Sequence, residues 1–527
     1  MQEFSLGTLD LAIVVFYLIF VVLLGLYFGA KHKGAEDYFL AGRNLTWPLI
    51  GFSLFASNMS SNSLVGLTGA GYSDGFSVFS YEWMAVLVLI IFAVFFLPFY
   101  LKNKVYTVPE FLERRFDYFT RGYASVIAIV LNVIVDVSAT LYAGGVAVQL
   151  IFPDYPLWLI IGALAIVAGL YTVSGGLSAV VYTDAIQAII LIGGSIIITL
   201  YAWDQSGGMD AVMKVTEPDH FNIIKSSSDE SLPWPGLIGV LIIGFYFWGT
   251  NQYITQRTLA AKNVLQGQWG SMFAGFLKLS ILFIMIFPGV FARVLYPGIE
   301  KTDTLYPTLL FDLLPTGVLG IVLAGFVAAL MSSIDSGLNS ISTLVTMDFV
   351  KKARPDKSEK DLMKVGRWVT LIVMFIATAW APQIVHFDQL WIYLQKALSW
   401  FCPPIVALFV MGLFWRRGTV RGAYAGILIG SIITVFVILM DTAFADNTFM
   451  PNFLYTATIH FAITCIAITI GSLTGPEPDP ASLEGVVWSP GEYRAETNTL
   501  SKLPFYKNYR YQGIALVIIV ILILLYY

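Results

Sequence analysis

Five ionisable side chains stand inside or at the edge of long apolar runs: Glu82, Asp184, Lys278, Asp335 and Lys396. Charge at membrane depth is costly, so such residues face a bundle interior or a water-filled cavity and mark ion or substrate pathways. Glu82 sits in Ser80-Tyr-Glu-Trp-Met84 and Lys278 in Phe276-Leu-Lys-Leu279. Brought together they form either a polar binding site or an ion pair that only locks two helices. Asp184, in Val181-Tyr-Thr-Asp-Ala185, and Asp335 offer full negative charge to a cation or proton, unless protonation or helix-end donors neutralise them.

Around Asp335, the residues Ala329, Ser332, Ser333 and Ser336 recur at i, i+3, i+4 and i+7 and so share one helix face. A small, hard cation such as sodium takes several oxygen ligands, which serine hydroxyls and free carbonyls supply. The alternative is that these serines bond back to carbonyls of their own helix. Free carbonyls are expected from the stretch Gly51–Gly66, where seven Ser or Asn side chains are too many for contact with hydrocarbon. A helix broken there is tolerated at membrane depth only where protein or a cavity surrounds the exposed backbone. Gly239–Gln252 is interrupted in the same way, by Gly244, Gly249, Thr250 and Asn251. The two stretches lie five spans apart, and paired weak spans in two halves of a chain point to an inverted-repeat transporter with its site at the midplane. Close helix packing through small residues is the competing explanation.

The elements that must hold these residues are apolar helices. Hydrophobic residues make up 57% of the 527 and charged ones 12%, about half the charge of a soluble domain, so lipid is the solvent for most of the chain. Fourteen spans are expected, at 9–30, 47–72, 78–101, 121–150, 157–174, 178–203, 233–256, 269–296, 308–347, 366–385, 389–415, 419–440, 453–473 and 509–527. The first apolar run, Leu11–Ala30, has acidic rather than basic residues before it, Glu3 and Asp10, and reads as a transmembrane helix rather than a signal peptide. The stretches 204–232 and 474–508 are too short and polar for an independent core.

Short loops rich in Lys and Arg stay in the cytoplasm. Lys31, Lys33, Lys102, Lys104, Arg114, Arg115, Arg121, Arg257, Lys262, Lys351, Lys352, Arg354, Lys357, Arg416, Arg417 and Arg421 all fall on one side. Lys214, Lys225, Arg293 and Lys301 fall on the other, diluted by acidic residues that include Asp219, Asp229, Glu230 and Asp446. Both termini are therefore expected outside the cell membrane. Cys402 and Cys465 with four histidines leave no framework for disulfides, haem or structural zinc, and a net charge of −4 argues against nucleic-acid binding. Without a P-loop, a zinc-protease motif or a nucleophile elbow, an enzyme or an ATP-driven pump is disfavoured.

Ordered motifs over nearly the whole chain resemble those of the sodium:solute symporter family, and within it the sodium/glucose cotransporters. They include Ala35-Glu-Asp-Tyr-Phe-Leu-Ala-Gly-Arg43, Tyr81-Glu-Trp-Met84, Thr107-Val-Pro-Glu-Phe111, Gly175-Gly-Leu-Ser-Ala-Val-Val181, Gln256-Arg-Thr-Leu-Ala-Ala-Lys-Asn263, Tyr306-Pro-Thr-Leu309, Thr346-Met-Asp348 and Gly412-Leu-Phe-Trp415. The resemblance implies an all-α polytopic membrane protein with a LeuT-like five-plus-five inverted repeat. It divides the chain into an extra N-terminal helix and loop (1–46), a first repeat (47–203), an outer loop (204–232), a second repeat (233–415) and three extra C-terminal helices (416–527).

It also implies site residues. The main sodium site falls on backbone oxygens of Ala56, Met59 and Ala329 and the hydroxyls of Ser332 and Ser333. A second sodium site, present in some members, falls on Asp184, Ser332, Asp335 and Ser336, with Asp335 standing where a serine is expected. The substrate site takes Glu82, Lys278 and Gln395 as partners of sugar hydroxyls, with Asn58, Ser63, Tyr81 and Trp248 around them. Phe247 occupies the place of a gate tyrosine. Ser63 replaces a glutamine, Gly244 an asparagine and Ala85 a serine, which separates this chain from the bacterial galactose-type pattern.

The expected function is sodium-coupled symport of a sugar or polyol, with sodium as coupling ion, no cofactor, and a monomer or loose oligomer in the bilayer. The alternatives are a symporter for a nucleoside, sialic acid, amino acid or vitamin, or a sensor or channel on the same fold.

Overall fold

The computed structural model describes residues 6–29, 34–387, 389–443 and 451–527, so Glu3, Lys31, Lys33 and Asp446 lie outside the described residues. Among those residues the chain is helical throughout, with only two isolated β-bridges, Leu45–Ala261 and Lys225–Pro233. In order, the helices that build the bundle begin with α1 (Thr8–Gly29), α2 (Trp47–Asn58), α3 (Ser61–Ser73), α4 (Gly75–Lys102), α5 (Tyr118–Gln149) and α6 (Leu157–Ser206). They continue with α7 (Trp234–Thr250), α8 (Gln252–Leu259), α9 (Val264–Leu295), α10 (Leu305–Leu313), α11 (Val318–Ala353) and α12 (Glu359–His386). The last four are α13 (Leu390–Phe414), α14 (Val420–Thr442), α15 (Phe453–Leu473) and α16 (Tyr509–Tyr526).

Among the described residues, ten helices are long and apolar enough to cross a membrane, or eleven when the bent pair α7 and α8 counts as one span. The expected count of fourteen is not reached on that criterion for three reasons. The described apolar part of α1 stops at Val21, and the second expected span is the broken pair α2 and α3, of 12 and 13 residues. The third reason is that the fifth and sixth expected spans are joined in α6, a helical run of 50 residues whose side chains at 169–176 lie outside the described ones. The ninth span also begins later than expected, at Val318 rather than residue 308. Residues 305–313 form the separate α10, and Gly317, with φ at +89°, makes the turn between them. That left-handed conformation is open to glycine at little cost.

Both breaks in the paired weak spans are present. Met59 (ψ 61°) and Ser60 (ψ 172°) leave helical geometry between α2 and α3, and the Ser60 hydroxyl accepts the Ser63 amide to cap α3. Asn251 (ψ 121°) separates α7 from α8, which are bent by 45°, and its side chain caps α8 at Tyr253. α7 ends in a π-helical turn over Tyr246–Thr250. The helices around these breaks are the enclosed ones: 83% of the apolar window of α11 is buried, against 22% of α16, which lies on the rim of the bundle.

Two aspartates fix helix starts from a distance. Asp10 accepts the amides of Gly317 and Gly320, each at 2.7 Å, at the head of α11, and Asp303 accepts the Leu390 amide at 3.1 Å at the head of α13. Each carboxylate satisfies amides that a helix start leaves unpaired and opposes the positive end of its dipole. The Tyr527 ring, 5.0 Å from Phe76, places the end of α16 beside the start of α4. Close packing of α9 on α3 depends on Gly289, where a Cβ would lie 2.1 Å from the Thr68 carbonyl oxygen.

Candidate functional site

The break between α2 and α3 opens onto a cavity inside the bundle, with an accessible volume of about 80 Å³. Its wall carries all eight residues expected to hold or gate the solute: Asn58, Ser63, Tyr81, Glu82, Phe247, Trp248, Lys278 and Gln395. They come from the first broken span, α4, α7, α9 and α13, so five segments converge on one volume.

At its centre Lys278, 1% exposed, forms an ion pair with Glu82 and donates to Asn58 Oδ1. Its ammonium also lies 5.1 Å from the Trp248 ring centre. Two opposite charges and an amide, buried beside an aromatic face, present fixed donors and acceptors in low dielectric, where each hydrogen bond is strong and an unpaired one costly. Ser63 does not extend toward the Lys278 pair; its hydroxyl donates to the Asn58 carbonyl at 2.6 Å and closes the first turn of α3. Gly244 leaves wall space where a side chain would stand, its nearest neighbour for an added Cβ being Val88 at 3.7 Å.

The cavity has a neighbour at one end of the bundle. A vestibule lined by Asp74, Glu230, Lys396 and Asp441 shares Tyr81, Trp391 and Gln395 with it. The Tyr81 and Trp391 rings meet edge to face at 5.3 Å on that boundary. Lys396, one of the five ionisable candidates, therefore belongs to the vestibule rather than the cavity. On the opposite side the way is shut: the Tyr253 hydroxyl donates to the Ser57 carbonyl at 2.5 Å, tying α8 to the first broken span.

Beyond that closure lies a second polar cluster, centred on Asp184. Its carboxylate accepts hydrogen bonds from the hydroxyls of Ser53 (2.5 Å), Ser57 (3.2 Å) and Ser332. Arg257, counted above among the loop charges of the basic side, is instead 1% exposed and belongs to this cluster. Its Nη2 stands 3.5 Å from Asp184 and bonds Ser336, its Nε donates to Ser53 at 2.8 Å, and its Nη1 bonds the Tyr253 carbonyl. The guanidinium thus supplies positive charge where a second sodium was expected, and burial without a partner would have been prohibitive. Arg115 and Arg121 are likewise buried, at 7% and 6% exposure, against helix-end carbonyls and Asp348 respectively.

For the main sodium site, Met59, just past the end of α2, is the last residue there whose amide bonds back, to Phe55 at 2.8 Å, so the break withholds from the Ala56 carbonyl the Ser60 amide of a continuous helix. Ser333 donates to the Ala329 carbonyl at 2.9 Å, the back-bonding alternative, and Ser332 is turned to Asp184. Ser332 and Ser333 face protein, fully buried, while Asp335 is buried near Tyr17 and Tyr38.

Sequence reading missed several wall residues. Asp136 is the main one: an ionisable residue within the apolar run of α5, which carries the same signal as the five candidates, on a π-helical turn over Asn132–Val137. Tyr253 and Trp391 carry no comparable mark, since buried aromatics are common in any core.

A model of the family described as "Sodium:solute symporter family" matches residues 38–430. The sodium/glucose cotransporter of Vibrio parahaemolyticus is 36% identical over 514 residues, covering 91% of this chain and 93% of that one. The sodium/myo-inositol cotransporter 2 of Oryctolagus cuniculus is 34% identical over 561 residues, 95% of this chain and 82% of that one. Among solved structures, the substrate-bound outward-open state of a Na+-coupled sialic acid symporter superposes with a TM-score of 0.78 at 24% identity, over 90% of this chain and all of that one. A nucleobase-cation-symport-1 family transporter in a closed conformation follows at 0.57 and 11% identity, over 88% and 99%, and both likenesses concern the fold.

Proposed function

The chain belongs to the sodium:solute symporter family, and on that premise we propose that it carries a sugar or cyclic polyol into the cell together with sodium, by alternating access. The observation that carries this reading is the buried Glu82–Lys278–Asn58 group beside Trp248, at the break of a mid-bundle helix. A polyol ring has hydroxyl edges and apolar faces, so paired charges and amides beside aromatic plates match it chemically. Gln395 stands where the cavity meets the vestibule, within reach of an entering solute.

The repeats run over 47–203 and 233–415, and each begins with a broken span. Sodium binds between the first break and α11, at the carbonyls of Ala56, Met59 and Ala329 and the hydroxyls of Ser332 and Ser333. These residues fit a hard cation in donor chemistry, oxygen throughout. Sodium there holds α2 against α11 and so shapes the cavity. A second cation at Asp184, Asp335 and Ser336 has to displace Arg257, which already supplies positive charge there.

The cavity open toward residues 230–232 and shut by Tyr253–Ser57 corresponds to an outward-facing state. Both termini lie on that outer side of a cell membrane, and the basic loops lie inside. One sodium crossing about 100 mV contributes about 2.3 kcal/mol, and a tenfold concentration ratio adds about 1.4 kcal/mol. Together these sustain a solute gradient of several hundredfold.

The test is uptake into proteoliposomes across a panel of hexoses and inositols, with a sodium gradient and with potassium in its place. Sodium-dependent accumulation of at least one of them is expected. Equal uptake in both salts, or sodium-driven uptake of amino acids or nucleosides instead, overturns the reading.

A further inference from the structure

Three ionisable side chains other than tyrosines line the cavity: Glu82, Lys278 and Asp136. The first two neutralise each other, and Arg257, a buried cation on the closed side, is committed to Asp184. Asp136 is 6% exposed, and its Oδ2 has no hydrogen-bond partner among the described residues. A buried carboxylate oxygen left unmatched costs more than the 1–3 kcal/mol or so of a neutral polar group, so a wall of this kind is built for an occupant. The residue sits on the π-helical turn of α5, a distortion frequent at functional sites, and faces Asn251 at the break between α7 and α8. Asn251 caps α8 at Tyr253, the residue of the closure, which places Asp136 toward the closed end of the cavity.

A second orphan lies toward the open end. The Trp391 indole Nε1, a donor that cannot accept, is buried without a partner among the described residues and lines both cavity and vestibule. The cavity thus offers a free acceptor at one end and a free donor at the other. An ammonium satisfies the first and not the second, whereas hydroxyl groups satisfy both.

We propose that Asp136 is a solute-binding residue that sets specificity, its free Oδ2 accepting a hydroxyl at the inner end of the bound polyol. This rests on the sugar or polyol reading above. It adds to the Glu82–Lys278–Asn58 group a second anchor, on the far side of the solute, which selects molecules with a hydroxyl at that position.

The test uses the full chain in proteoliposomes with the best-transported solute and its set of monodeoxy analogues, each assayed as a competitor at saturating sodium. In the unsubstituted protein, removal of one particular hydroxyl is expected to weaken competition on the order of ten- to a hundredfold, the range for a hydrogen bond to a charged group. Asp136→Ala is expected to weaken the parent solute by a similar factor and Asp136→Asn, whose amide oxygen still accepts, by less, both leaving that one analogue and the half-activating sodium concentration unchanged. An equal loss for every analogue, a shift in sodium activation in place of one in solute affinity, or unaltered solute affinity overturns the assignment. If the variants fail to fold, the analogue scan alone decides, because a flat scan across all hydroxyls also overturns it. Absence of any sodium-driven uptake of hexose or inositol by the unsubstituted protein fails the underlying reading instead, and this assignment with it.

Discussion

The solute cavity and the Asp184 cluster lie on either side of the Tyr253–Ser57 closure, and they treat buried charge in opposite ways. Around Asp184 the described partners are close to complete: three serine hydroxyls and a guanidinium surround one carboxylate. In the cavity, Glu82 and Lys278 match each other, but Asp136 Oδ2 and Trp391 Nε1 are left open. A closed network rigidifies and holds helices in one arrangement, while an open one is completed by a ligand. The contrast teaches which polar residues in a membrane bundle are there to fix its conformation and which to receive cargo.

The contrast is most severely tested at Arg257. Arg257→Gln leaves Asp184 buried without its cation, and breaking a buried pair from one side costs about 3–5 kcal/mol. A large fall in the thermal unfolding temperature of the purified protein is expected, with Asp184→Asn in the same chain restoring part of it. A near-native Tm for the single variant would mean that the cluster is not the conformational lock described here.

Ser333→Ala is expected to raise the half-activating sodium concentration more than about tenfold, the equivalent of about 1.4 kcal/mol of lost ion binding, with unfolding temperature nearly unchanged. Sodium activation curves of uptake check this. Unchanged curves would remove Ser333 from the cation site and leave its bond to Ala329 as its whole role.

On the cavity side, Glu82→Ala and Gln395→Ala are expected to weaken solute affinity, with Glu82→Ala the larger because it also strands Lys278. Solute titration at saturating sodium reads this directly. Solute affinity equal to that of the parent in both variants would transfer the binding role to other walls.

The smallest effect lies outside both regions and serves as their control. His220, packed beneath Gly75 in the outer loop, is held well below the usual histidine range, at about 4, by burial first and then by Arg293 and Lys225. The folded state therefore binds this proton less well than the unfolded one. Its contribution is intact above about pH 6.5, the ordinary value, and is lost as pH falls toward 4. Thermal unfolding between pH 7 and 4 is expected to show this loss, and His220→Gln to flatten it, with uptake at neutral pH unaltered.

Much of this was legible beforehand because it is local. Seven Ser or Asn residues between Gly51 and Gly66 cannot face lipid, whatever the rest of the chain does, and the helix there is indeed broken at Met59. Gly249, Thr250 and Asn251 foretold the second break for the same reason. The eight expected solute residues share one wall. Asp136 carries the same local signal as Glu82, an ionisable residue within an apolar run. The start of α11 was misplaced because Leu305–Leu313 is as apolar as a span and only the turn at Gly317 separates it.

Arg257 could not have been read correctly from its neighbours, since a basic residue after an apolar run reads as a loop charge. Only its partner, 73 residues away, makes burial affordable. The same holds for Lys278 and Asn58, which are 220 residues apart.

What the sequence alone determined is where helices run and where they must break, because hydropathy and backbone hydrogen bonding act over a few residues. Which ionisable groups are neutralised and which stay open to a ligand was decided by the tertiary structure, because electrostatic pairing depends on distances across segments that chain order does not bring together.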